Sequence, residues 1–167
     1  NCFNRLREVG VMGLNQRNAG IIGCENNRKY YPLVDNKLLT KEWAQKNQIA
    51  VPPLYGVIEV VRDARKFESM VAPYPDFVIK PARGSAGKGV LVIQERRDYG
   101  YRKAGGLLVT GEDIQHHIFN ILSGMFSLGG QPDQALIEYR VKPNDFLLQF
   151  EPEGMPDFRV VVYRGVP

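Results

Sequence analysis

Two short apolar runs joined by a glycine-rich turn, from Asp76 to Ile93, constrain this chain more than any other stretch: DFVIKPARGSAGKGVLVI. Phe77 to Ile79 and Val90 to Ile93 are aromatic and β-branched, the residue types of strands packed on at least one face. Between them stand Gly84, Gly87 and Gly89, with Ser85, Lys80 and Lys88 close by. Glycines let a backbone approach a ligand closely and present N–H groups to an anion without interference from a Cβ.

The 167 residues fit one ordinary domain, and 44% hydrophobic with 24% charged residues describes a globular chain with a sizeable core. No apolar run approaches the roughly 20 residues of a membrane span, and no signal-peptide pattern opens the sequence, so a cytoplasmic protein without membrane contact is expected. Cys2 and Cys24 are too few and too far apart for a disulfide framework and belong to no CxxC pair. His116 and His117 are adjacent, about 100° apart on a helix, and cannot share a metal as an i,i+4 pair would. The net charge of +4 is scattered. Its one knot, Arg96, Arg97, Arg102 and Lys103, lacks any accompanying nucleic-acid motif and reads as a solvated loop.

Residues 1 to 34 are polar and broken by Gly10, Gly13, Gly20 and Gly23, so short helical turns are expected, with Tyr31 extended ahead of Pro32. Asp35 or Asn36 is a good N-cap for a helix running to about Asn47, with Leu39 and Trp43 on one face. Lys37 falls in its first turn, where the helix dipole favours anions, so an anionic partner would relieve the misfit. After Val51-Pro-Pro53 come a strand from Leu54 to Val60, then a helix from Arg62 to Val71 carrying Ala64, Phe67 and Val71 on its inner face. Gln94 to Leu107 reads as a mobile polar excursion. Thr110-Gly-Glu-Asp113 resembles a capping box, opening a helix whose Ile114, Ile118, Ile121, Leu122 and Met125 share one face. Beyond the turn at Gly129 to Asp133, strands are expected at Ala135 to Val141, Phe146 to Phe150 and Asp157 to Tyr163.

The turn Gly84-Ser-Ala-Gly-Lys-Gly89 fails the Walker A pattern, because Ala82 stands where the first glycine belongs and Gly89 follows the lysine. It also reverses the GxGxxG order of Rossmann and kinase loops, and Lys80 precedes the hairpin, whereas a kinase lysine follows it. A strand ending in Lys80-Pro81, then GxxGxG, then a valine-rich strand resembles the ATP-grasp superfamily. Tyr31 to Lys41, Ile49-Ala-Val-Pro52, Leu136-Ile-Glu-Tyr139 and Asp157-Phe-Arg159 extend the likeness to the alpha-L-glutamate ligase-like branch.

The resemblance implies an α+β ATP-grasp fold in which two α+β lobes clamp ATP: a lead-in segment and helix over 1–53, a first lobe over 54–134, and a second lobe starting at 135–167 and incomplete in this chain. It places Lys37 and Lys80 on the phosphates, with the hairpin carrying Gly84, Ser85, Gly87 and Gly89 as a lid. Backbone groups around Glu138, Tyr139 and Arg140 would meet the adenine edge. Arg159 would contact the transferring phosphoryl group and Asp157 would orient it. Asp145, Glu151 and Glu153 are candidates for the ribose, and ligands for Mg²⁺ are expected beyond residue 167. The implied reaction is ATP-dependent joining of a small-molecule or peptide carboxylate to an amino-acid amine through an acyl phosphate, with glutamate inferred from the branch alone. A non-catalytic ATP-binding or regulatory module is the alternative reading.

Overall fold

The computed structural model describes residues 2–150 and 158–167. The architecture is α+β. The lead-in is helical: α1 (Cys2–Glu8), a π-helical stretch (Gln16–Ile22), the short α2 (Gly23–Glu25) and α3 (Tyr31–Asp35), then α4 (Lys37–Lys46). Tyr31, expected to be extended, is helical. Pro32 lies in the first turn of α3, where its missing N–H costs no intrahelical bond. Asn36 supplies the N-cap of α4, accepting from the amides of Leu38 and Leu39.

The centre is one antiparallel sheet built from β1 (Leu54–Ile58), β2 (Phe77–Pro81), β3 (Leu91–Arg97), β4 (Gly100–Lys103), β5 (Leu108–Val109) and β6 (Ala135–Glu138). Their spatial order is β1-β6-β2-β3-β4-β5. The boundary expected at 134/135 therefore falls inside the sheet. β6 is inserted between β1 and β2, with Ala135 opposite Pro81 and Ile58, because its four residues are all buried and need neighbours on both edges. The expected excursion at Gln94 to Leu107 is mostly sheet, since β3 runs on to Arg97 and β4 folds back on it. Ion pairs from Glu95 to Arg97 and Arg102 hold that polar ribbon on its exposed side.

One face of the sheet is covered by α5 (Phe67–Val71), the 3₁₀ turn before it (Val61–Lys66), and α6 (Gly111–Leu122). Ala64, Phe67, Val71, Ile114, Ile118 and Ile121 are fully buried there against Phe77, Ile79, Ile93 and Ile137. Thr110 and Asp113 close the expected capping box at the start of α6. Met125 lies past the end of that helix and is exposed.

Three other expectations fail. Leu39 and Trp43 face outward on α4, whose buried residues are Lys41 and Ala44. The run Phe146 to Phe150 is not a strand: Asn144 caps a short helix, α7 (Asp145–Leu148), accepting from the Leu147 amide. Of the strand expected at Asp157 to Tyr163, residues 158–162 carry no strand, and Tyr163 makes an isolated bridge to Val166. Among the described residues no helix is long and apolar enough to cross a membrane.

Candidate functional site

Alternation along β2 sends Phe77, Ile79 and Pro81 into the helix-covered core and turns Val78 and Lys80 to the opposite face. The same alternation on β3 turns Val92 and Gln94 that way, and on β6 it turns Glu138. These side chains line a cavity of about 390 Å³, together with Val90, Ala104 and the segment Tyr139 to Val141. The size and the mixture of apolar walls with a few convergent charges are those of a small-molecule site.

Glu138 is the electrostatic centre. Its carboxylate, 5% exposed, pairs with Lys80 through Oε1 and with Lys41 through Oε2 at 2.9 Å. Lys41 is itself buried; its contact with Glu138 is an ion pair without hydrogen-bond geometry, and its hydrogen bond goes to the Pro52 carbonyl. Lys80 is the more open partner at 22% exposure and reaches the cavity. Lys37 comes from the first turn of α4, whose backbone is tied to the hairpin by a 2.8 Å bond from its amide to the Ala82 carbonyl. Its Nζ donates to the Gly84 carbonyl. Burial holds the Lys37 ammonium below its ordinary range, and the positive charge of Lys80 pushes it the same way. A ligand anion between the two would offset both penalties.

The glycine-rich turn is fixed at its roots and open at its tip. At one root, Asp133 accepts from the Arg83 amide with both oxygens, at 3.1 and 3.0 Å, from the Gln134 amide at 2.8 Å and from the Ser127 hydroxyl at 2.6 Å. At the other, the carbonyl of Gly89 accepts from His117 Nε2 at 2.9 Å, which fixes the imidazole proton on that nitrogen. Burial lowers the affinity of His117 for a second proton, more than the Gly89 bond raises it. Gly89 has φ +76°, and a Cβ there would sit 2.6 Å from the Phe126 ring. Between the roots, Ser85, Ala86, Gly87 and Lys88 are exposed.

The structure thus brings Lys37, Lys80, Gly84 and Glu138 together, with Gly89 at the other root of the hairpin and Ser85 and Gly87 at its tip. Tyr139 and Arg140 line the same cavity. The Tyr139 amide is engaged by the Pro53 carbonyl at 2.9 Å, so that donor is already used. The Arg140 side chain reaches back to Asp76, which also pairs with Lys142 at 2.7 Å, pinning the segment that leaves β6. Arg159 is exposed and does not line the cavity, and Asp145, the first residue of α7, does not line it either. Asp157, Glu151 and Glu153 lie outside the described residues. Among the described residues there is no group of three or more His, Cys, Asp or Glu that could hold a metal.

Reading the sequence missed Lys41, Asp133 and His117 as parts of this site. Lys41 had a signal, since it stands four residues after Lys37 and shares its helix face. A family model described as sugar-transfer associated ATP-grasp matches residues 16–167. No curated protein and no solved structure matches the chain.

Proposed function

The chain belongs to the sugar-transfer associated ATP-grasp family, and from that premise we propose that it is an ATP-dependent ligase holding nucleotide in the cavity between the glycine-rich hairpin and β6. The observation that carries this reading is the meeting of Lys37 and Lys80 at the base of the glycine-rich turn, with Lys80 lining an apolar-walled cavity. Adenine fits the walls made by Val78, Val90, Val92 and Tyr139, and the phosphates extend toward the two lysines. ATP supplies an electrophilic γ-phosphoryl group. Phosphoryl transfer requires positioning and charge neutralisation more than covalent participation by protein, and lysines at the phosphates supply both.

In the proposed reaction a substrate carboxylate oxygen attacks the γ-phosphorus, giving an acyl phosphate and ADP. An amine then attacks the carbonyl carbon and inorganic phosphate leaves, forming an amide. The hairpin excludes water that would hydrolyse the acyl phosphate. Arg159, which does not line the cavity in this structure, is proposed on the family resemblance alone as the contact to the transferring phosphoryl group, by virtue of its two-pronged grip on oxygens. The family's association with sugar transfer makes sugar-bearing carboxylates and amines the first substrates to screen, ahead of glutamate.

Calorimetric titration with ATP and Mg²⁺, followed by ADP release against panels of carboxylates and amines, tests the reading. Saturable ATP binding with ADP release that requires both co-substrates supports it. Absence of ATP binding overturns it.

A further inference from the structure

We infer that Lys41 is a positioning residue that keeps the nucleotide site positively charged: by occupying one oxygen of Glu138, it prevents that carboxylate from cancelling Lys80. The inference rests on the nucleotide reading above but concerns a residue outside the cavity wall.

The argument is one of charge and geometry. Glu138 is 4% exposed and cannot satisfy its charge with water. If Lys80 were its sole cationic partner, the pair would be neutral, and the triphosphate would meet only Lys37. The second oxygen instead meets Lys41 Nζ at 2.9 Å, from a side chain 7% exposed and held on its other side by the Pro52 carbonyl. Two lysines on one carboxylate leave a net charge of +1, and Lys37 brings the site to +2. Lys41 cannot itself reach the ligand, because Glu138 and the chain at Pro52 enclose it, whereas Lys80 opens to the cavity. The buried lysine is thus the fixed partner of the carboxylate, and Lys80 is the one free to exchange it for phosphate. Desolvation favours this division: a lysine already out of water, ion-paired to Glu138 and hydrogen-bonded to Pro52, has little to gain by moving.

The experiment is a ladder of charge read by competition of ATP and of adenosine against a fluorescent adenine nucleotide, on the full chain. Adenosine shares the base contacts but carries no phosphate charge, so the ratio of the two affinities isolates electrostatics from damage to the fold. Net site charge is +3 in Glu138→Gln, +2 in wild type and in Lys41→Met/Glu138→Gln, and +1 in Lys41→Met. The ATP-to-adenosine affinity ratio is expected to follow that order, falling on the order of tenfold per charge, with the double variant restored to the wild-type ratio. Melting curves establish which variants fold, and any two folded rungs of different charge decide the matter. A ratio indifferent to charge, or a double variant no better than Lys41→Met, overturns the inference and leaves Lys41 a structural residue. Wild-type protein that binds neither competitor overturns the nucleotide reading as well.

Discussion

Lys80 and Glu138 meet diagonally across the neighbouring strands β2 and β6: Lys80 stands opposite Leu136 and Glu138 opposite Val78, so both side chains leave the same face of the sheet and join in an ion pair. Diagonal neighbours lie within reach of long side chains. The consequence is that the strand leading into the glycine-rich hairpin and the strand leading out of the sheet share one electrostatic contact at the floor of the cavity.

Lys80→Ala is expected to weaken ATP binding roughly ten- to a hundredfold, since a bond to a charged group contributes about 1.5–3 kcal/mol. Glu138 keeps Lys41 as a partner in this variant, so the fold should persist. Calorimetric titration reads the loss. Unchanged affinity would remove Lys80 from the nucleotide site.

The glycines of the hairpin should differ sharply under substitution by alanine. Gly87 has φ +72° and open space around it, so Gly87→Ala should cost about 1 kcal/mol for the left-handed conformation alone. Gly89→Ala adds the collision with Phe126 and should lose a further ~1–3 kcal/mol. Urea midpoints at a common slope compare the two, and equal losses would contradict the close approach at Phe126.

Asp133→Ala strips the acceptor from two backbone amides and the Ser127 hydroxyl, at an expected cost of about 1–3 kcal/mol. Because those bonds fix the root of the hairpin, cleavage by trypsin after Arg83 and Lys88 should accelerate in this variant more than cleavage at Lys66. Uniform acceleration at all sites would mean global destabilisation instead.

His117 makes stability depend on acidity with a defined sign. Its folded-state proton affinity lies below the ordinary value of 6.5, chiefly through burial. The unfolded chain therefore binds the second proton first as pH falls. Stability is highest above about pH 6.5 and declines through the window down to the folded-state value. Melting temperatures of wild type and His117→Asn between pH 8 and 5 should show this component in the wild type only.

Much of the sheet and half of the charged cluster were legible in the residues, for reasons that are local. Glycines at Gly84, Gly87 and Gly89, with short β-branched and aromatic runs on either side, encode a hairpin whatever surrounds it. The capping box at Thr110 and Asp113 and the isoleucine stripe behind it encode α6 in the same way. Lys41 was not legible as buried, because a lysine in a polar helix is ordinarily solvated, and its burial is created by Glu138, 97 positions on from it (138 − 41). Trp43 and Leu39 misled for the converse reason: apolar spacing says that a helix has a face but not which face its neighbours cover. The strand expected at Phe146 to Phe150 failed because a short apolar run has no period of its own, and Asn144 decided for a helix.

The insertion of β6 between β1 and β2 also governs how the chain finds its fold. Leu54 pairs with Glu138, and Pro81 with Ala135, so neither of two early strands has its inner neighbour until residues 135–138 arrive. Closing so long a loop is paid in chain entropy before any ladder bond returns it, and the hairpins formed locally by β2 with β3 and by β3 with β4 must wait as an incomplete ribbon. On a ribosome, the half of the molecule that carries both Lys37 and Lys80 is therefore synthesised well before it can become a stable sheet, and the four residues of β6 act as the bolt that locks it.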